Sequence, residues 1–530
     1  MKATENTAMV CIPQSEYESL KAENAELANK IGQLAEQLRL LRHQRFAPKS
    51  EKNAPIDGQM AMDIFNEAEA YADESIPGPG LSEVKKHYRK RARLVNDSLP
   101  EDLPVEVVEH ALPEEERVCP ECGDALDVIG KEERRELKLI PASAVIVKHV
   151  YYTYGCRDCE KNGTSPQIIK TPKNKPVIKG SFASPEAIAQ IMSQKFVMGV
   201  PLYRQEKDFQ RGGIMLSRQT MSNWLIKSTE DWLKPVYNEL KAFLLSRDVC
   251  FIDETTLQVL KEPGKKAQSQ SYLWMYRTGR DSPFQSVVCE YQPDRKAVHP
   301  AEFLKGYRGY SHTDGYAGYH NLPPDIIVVG CLAHARRKFD EALKGLRPID
   351  QKGSLAQKGL LYFDKLFEID RGLASCTPEE RHEKRAEFAK PVMDELHKWL
   401  KSLDPAPKSL LGRAVGYTLN EWKYLERYLL DGRLECSNNR SERTIKGFVI
   451  NRKNFLFANT PLGAESSAII YSLTETAKEN GLSPYRYLAY IFENAPNWDI
   501  RNNPEKAKLF LPDRIPDCCR AATPKQKDAD

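Results

Sequence analysis

The chain has 530 residues, 41% of them hydrophobic and 29% charged, which is too long for one ordinary core and typical of several folded modules. No apolar run approaches the roughly 20 residues that span a membrane, and the start, MKATENTAMVCIPQSEYESL, lacks the basic-then-apolar plan of a signal peptide, so a cytoplasmic protein with no membrane partner is expected. The net charge of +4 is too small to argue for nucleic acid by itself, and the twelve cysteines are too sparse for a disulfide scaffold, leaving metal or plain burial.

Leu20, Leu27, Leu34 and Leu41 recur every seven residues, with Tyr17, Asn24, Ile31 and Leu38 three before each. This heptad pattern predicts a coiled coil over 16–44, and the single Asn at an a position favours a parallel dimer; a helix packed on its own protein is the alternative. Residues 45–110 read as a linker, Pro-broken and basic at RFAPKSEKN, then acidic as far as PGPG,. Within it KKHYRKRAR sets Lys85, Lys86, Arg89, Lys90 and Arg91 in a run without an acid. Such a run can neutralise several phosphates, or it can be a solvated charged loop. In 111–172, Cys119-Pro-Glu-Cys122 and Cys156-Arg-Asp-Cys159 form two C-x-x-C knuckles around a β-rich stretch. Four thiolates at these spacings suit a closed tetrahedral Zn²⁺ site, which leaves no open position for catalysis and is therefore structural.

Over 180–246 the pattern turns helical, opening with Ser184 as N-cap and Pro185 at the first helical position. PLYRQEKDFQRGGIMLSRQTMSNWLIKS predicts a helix, a Gly212-Gly213 turn and a second helix whose first turns carry Ser217, Arg218, Gln219, Thr220 and Asn223. A helix-turn-helix offers polar side chains to base edges in this way, although many helix pairs never touch DNA.

Residues 249–341 change to short β-type runs, which predict a mixed sheet. Asp253 ends the first apolar run, and Asp314 follows another strand-like stretch. Glu442, in CSNNRSERTIKGFVINRKNFLF, is placed to supply a third carboxylate from a helix. Mg²⁺ takes hard oxygen ligands in near-octahedral geometry, and two such ions about 4 Å apart can steady both the attacking and the leaving oxygen of a phosphoryl displacement. Arg440, Arg443, Lys446, Arg452 and Lys453 lie in the same segment as Glu442 and would meet phosphate charge. A chain with 74 acidic residues offers many such threesomes, however, and Asp253 alone could be a strand-end cap.

The surrounding motifs narrow the choice. In chain order they are RFAPKSE, CPECG with CRDC, SPEAIAQIMSQKFVMGVPLYRQE, FIDET, HTDGYAGY, CLAHARRKF, NNRSERTIKGFVINRKNFLF and AIIYSLTETAKENGLSPYRYL. Together they resemble the transposases of the insertion-sequence-sixty-six family over roughly residues 16–515. The resemblance implies a multidomain α/β chain whose DDE-type catalytic domain, 247–460, has an RNase H-like fold, a helical insertion at about 345–432 and a helical C-terminal extension at 463–515. It carries the acidic triad over to Asp253 in FIDET, Asp314 in HTDGY and Glu442 in NNRSE, dependent on Mg²⁺ or Mn²⁺. Its implied partners are the element's terminal repeats, target DNA, a second copy of the chain or more, and accessory proteins encoded by the same element. Cys331-Leu-Ala-His334 resembles a C-x-x-H pair of related transposases and is expected outside the active site, with His334 a core or phosphate-adjacent residue. A zinc-containing DNA-binding regulator and a metal-dependent nuclease that cuts without joining are the competing functions.

Overall fold

The computed structural model describes residues 13–21, 23–24, 144–155 and 168–521. Three of the four heptad leucines, the basic residues Lys85, Lys86, Arg89, Lys90 and Arg91, and the cysteines Cys119, Cys122, Cys156 and Cys159 all lie outside the described residues. Residues 14–21 are helical, with Tyr17 and Leu20 exposed. Among the described residues no helix is long and apolar enough to cross a membrane.

Contacts divide the chain into two units. In the described part of the smaller unit, β1 (Thr153–Gly155) pairs antiparallel with β2 (Ile168–Lys170). The Tyr152 carbonyl extends the ladder by accepting from both the amide and the hydroxyl of Thr171. The strand β1 ends directly before the position of Cys156.

The larger unit, described over 174–521, begins with helices α1 (Pro185–Phe196), α2 (Leu202–Arg211), α3 (Arg218–Ser228) and α4 (Lys234–Leu245). Serine caps explain two of these starts: Ser184 Oγ accepts from the Ala187 amide and Ser217 Oγ from the Thr220 amide. Each such cap meets a donor the helix itself cannot satisfy and stabilises by about 1 kcal/mol. The sheet follows, made of β3 (Val249–Gln258), β4 (Gln270–Thr278), β5 (Val287–Gln292), β6 (Gly309–His312) and β7 (Ile326–Val329). A short helix, α5 (Val298–Phe303), separates β5 from β6. The strand order is β5-β4-β3-β6-β7. The first three strands run antiparallel to one another, and β6 and β7 run parallel to β3.

Because side chains alternate along a strand, β3 feeds two cores. Cys250 and Ile252 enter a cluster shared with α1, α3, α4 and the C-terminal helices. Val249 and Phe251 enter a second cluster built from α6 (Leu332–Lys344), α7 (Leu355–Gly372), α9 (Lys390–Lys401) and α10 (Leu410–Leu425), where Phe339, Phe363, Leu396 and Trp422 meet, with the short α8 (Pro378–Lys384) between α7 and α9 in the chain. Two buried arginines tie this helical layer down. Arg385 pairs with Asp370 and donates to the Tyr428 carbonyl at 3.3 Å, while Arg381 donates to the Gly432 carbonyl at 2.6 Å and to Asp281. The chain closes with α11 (Asn439–Phe455), α12 (Pro461–Glu479) and α13 (Pro484–Trp498). Ile470, Tyr487, Ile491 and Phe510 share the first cluster with Met192, Leu225 and Tyr276, so the helices before and after the sheet are parts of one core.

Candidate active site

Asp253 stands in the middle of β3, not at its end, because the strand continues to Gln258. Its setting is nevertheless a strand end, since the parallel neighbour β6 stops at His312. Phe251 is level with His312 in that pairing, and their rings stack at 4.4 Å. Two residues further along each segment come Asp253 and, just past the end of β6, Asp314, near enough that its charge acts on Asp253. This is the crevice beyond the carboxyl ends of parallel strands where open α/β sheets bind ligands. The carboxylate of Asp314 is oriented by the Tyr316 amide, which donates to Oδ1 at 2.9 Å, and that of Asp253 by the Glu254 amide, also at 2.9 Å.

Glu442 reaches the same place from the first turn of α11. The segment before that helix is pinned at four points: the Glu435 amide donates to His312 Nε2 at 3.1 Å, the Leu332 amide to the Cys436 carbonyl at 3.0 Å, the Asn438 amide to Cys331 Sγ at 3.2 Å, and Asn438 Nδ2 to the Ile252 carbonyl at 3.2 Å. Those anchors sit in the middle of β3, at the end of β6 and just after β7, so the sheet itself sets where Glu442 emerges. Its carboxylate is turned onto α6, with Arg337 Nη2 at 3.1 Å from Oε2 and His334 Nε2 at 3.5 Å from Oε1. Oε1 is buried and accepts no hydrogen bond.

The electrostatics record the convergence. Burial, with the negative charges of Glu254, Asp314 and Glu442 added, pushes the Asp253 carboxyl well above the usual carboxylate range, against the pull of His334. Burial alone would lower His334, but the neighbouring Cys331 thiol together with Glu442 and Asp314 raises it to about 9. Burial and Asp314 raise Glu254 to about 7, although Arg295 and Tyr319 both bond its carboxylate. Among the described residues no three His, Cys, Asp or Glu side chains stand close enough to hold a metal ion as they are; Glu442 is engaged with Arg337 and His334 instead.

The basic residues singled out in the sequence divide by environment. Arg440 is spent inside the protein, on Glu435 at 3.1 Å and Gln285 at 2.8 Å, in a network around the buried Arg277, which bonds Glu479 at 2.7 Å. Arg452 donates to Thr255 Oγ1 at 3.1 Å and to Thr256, fastening α11 to β3. Lys446 is half-buried, whereas Arg443 and Lys453 are exposed. On the helix pair, Gly213 has φ +78 in the turn, Ser217 is consumed as the cap, and Arg218, Gln219 and Asn223 are exposed at the start of α3. Arg218 keeps a loose ion pair with Glu206 at 3.9 Å.

Sequence reasoning missed His312, Cys331 as acceptor for Asn438, Asn438 itself, Arg337 and the Glu254–Arg295 pair. His312 and Asn438 stand two and four residues before the acids they serve, which was their only sequence signal. His334, expected outside the site, is in contact with Glu442.

Comparison with known families agrees along the chain. Residues 180–466 match the model described as Transposase IS66 family, 116–160 the zinc-finger binding domain of transposase IS66, 33–108 Transposase C of IS166 homeodomain, and 472–506 the IS66 C-terminal element. Two uncharacterized proteins of Sinorhizobium fredii are similar over most of their length. Protein y4jD is 30% identical, covering 90% of this chain and 94% of its own, and y4hP is 27% identical, covering 85% and 83%.

Proposed function

Since the chain belongs to the IS66 transposase family, with DNA-binding and zinc-finger modules, we propose that it cuts and joins DNA strands at the crevice between β3, β6 and α11. The observation that carries this reading is that Asp253, Asp314 and Glu442, far apart in the chain, lie near enough for the charges of the latter two to act on Asp253, with both Asp carboxylates held by neighbouring amides and the start of α11 bonded to β3. The site suits Mg²⁺ or Mn²⁺: its donors are hard carboxylate oxygens, burial together with the neighbouring acids raises Asp253, and Glu442 Oε1 is buried without a hydrogen-bond donor. When bound there, such ions would activate the attacking oxygen and steady the leaving one.

The protein's own part is positioning. Asp253 would grip from β3 and Asp314 from the loop that follows β6, and Glu442 would swing from Arg337 and His334 to complete the set. Arg337, released from Glu442, would face the scissile phosphate. Exposed Arg443 and Lys453 would follow the backbone on either side, Lys446 would join them, and Arg440 and Arg452 would need to surrender internal bonds before touching DNA. Water would attack first to free a 3′-hydroxyl, and that hydroxyl would then attack target DNA with no side-chain nucleophile. The strand order, three antiparallel strands followed by two parallel ones on the far side of β3, supports an RNase H-like fold.

The same reading assigns 16–44 to a dimerising coiled coil, 45–110 to a linker, and 111–172 to a zinc module with Cys119, Cys122, Cys156 and Cys159 as ligands. It assigns 180–246 to DNA binding through Arg218 and Gln219, aided by Lys85, Lys86, Arg89, Lys90 and Arg91. The catalytic domain is then 247–460, with its insertion at about 345–432, followed by the extension at 463–515. The action is cytoplasmic, with accessory proteins of the same element as further partners. The test is incubation of purified protein with labelled ends of the parent element and a plasmid, with Mg²⁺ or EDTA. Metal-dependent joined products support the proposal; cut but unjoined ends would make the protein a nuclease, and binding alone a regulator.

A further inference from the structure

The helix that carries Glu442 ends in a strained turn whose apolar residues face solvent. Leu456 has φ 63 and ψ −48, and the Phe457 amide donates back to the Phe455 carbonyl at 2.7 Å. This is the γ-turn of positive φ, which is rare and strained for any residue with a Cβ. Leucine gains little burial there, because it is 65% exposed and the following Phe457 is 42% exposed. The turn cannot relax, since Ala458 and Asn459 beyond it are bonded to the end of β3, with the Ala458 amide on the Gln258 carbonyl at 2.9 Å and the Lys261 amide on the Asn459 carbonyl at 3.0 Å. Two exposed lysines lie close to it along the chain: Lys453 three residues before it, and Lys261, whose amide bonds the Asn459 carbonyl just beyond it. Strain held rigidly at an exposed position is a mark of function rather than of packing.

We propose that Leu456, backed by Phe457, is a wedge that enters the base stack of duplex DNA bound along α11. The occupant is DNA because exposed Lys453 and Lys261 flank the apolar tip in the local backbone and the tip ends the helix that carries Glu442; the inference therefore rests on the proposed function. Apolar side chains inserted between base steps unstack and kink a duplex that basic residues hold by its phosphates. At 1.5 Å per residue the tip lies about 20 Å along the helix from Glu442, which is about six base pairs of DNA at 3.4 Å per step. The wedge would thus open the duplex well away from the scissile phosphate, fixing where the end is cut.

The test scans 2-aminopurine through a duplex of the parent element's end and reads its fluorescence, which rises when the base leaves the stack. With the full-length wild-type protein, one narrow set of positions about six base pairs from the cut should brighten. Leu456→Gly relieves the backbone strain, so it should melt no lower than wild type while losing the fluorescence rise and binding the end about 5- to 100-fold more weakly. Leu456→Met should keep both signals. Asp253→Asn should keep the fluorescence rise while failing to join. The wedge is overturned if the wild type binds and joins but no position brightens, or if Leu456→Gly keeps the rise and the affinity. A wild type that neither binds nor joins would instead overturn the functional reading, and the wedge with it.

Discussion

Replacing Asn438 with Ala removes a buried side-chain bond that fastens the start of α11 to β3. Its amide donates to the Ile252 carbonyl at 3.2 Å from a fully buried position, one residue before Asp253 on that strand. Leaving a buried acceptor unmet costs about 1–3 kcal/mol, which in a unit of this size lowers Tm by roughly 2–6 °C. The effect on chemistry should be larger than the effect on stability. Glu442 rides one helical turn beyond Asn438, and a displacement of about 1 Å at a reacting centre costs roughly a hundredfold in rate. Asn438→Asp should be at least as damaging, because a carboxylate cannot donate and would set a negative oxygen against the Ile252 carbonyl. The assay is single-turnover strand transfer beside thermal melting, with element-end binding as a control that should not change. Wild-type joining by Asn438→Ala, with the drop in Tm present, would refute the claim that this bond sets the position of Glu442.

Gly432→Ala should destabilise by about 1–3 kcal/mol in denaturant unfolding, because a Cβ there would lie 1.7 Å from the Pro378 carbonyl oxygen, which is backbone and cannot step aside. Arg218→Ala should leave stability within about 0.5 kcal/mol and reduce the salt slope of end binding by about one; an unchanged slope would remove Arg218 from the interface. Elemental analysis should find stoichiometric zinc in the wild type and a loss of it in Cys119→Ser, and zinc-free wild-type protein that folds normally would exclude the four-cysteine site.

What the sequence discloses follows from how local each signal is. The strand that carries Asp253 was legible because the apolar run Val249–Ile252 leads directly into it, although the strand continues beyond the acid to Gln258. The start of α3 was legible because Ser217 caps it within three residues. The pinning of Glu442 was not legible, since it depends on His312, Cys331 and a carbonyl of β3 brought together across more than a hundred residues of chain. The roles of Arg440 and Arg452 were hidden for the same reason. A sequence shows a cation beside an acid helix, but only the fold shows Arg440 held by Glu435 and Gln285, and Arg452 by Thr255. Nor does periodicity separate the layers: alternate residues of β3 enter two different cores, so the strand reads as one apolar run.

The most direct test of the central claim compares Asp253→Asn, Asp314→Asn and Glu442→Gln with the wild type, measuring end binding and strand transfer on the same preparations with Mg²⁺ and with Mn²⁺. All three variants should bind element ends as the wild type does, and none should cleave or join. Strand transfer at the wild-type rate by any one of them would show that its carboxylate is not part of the site.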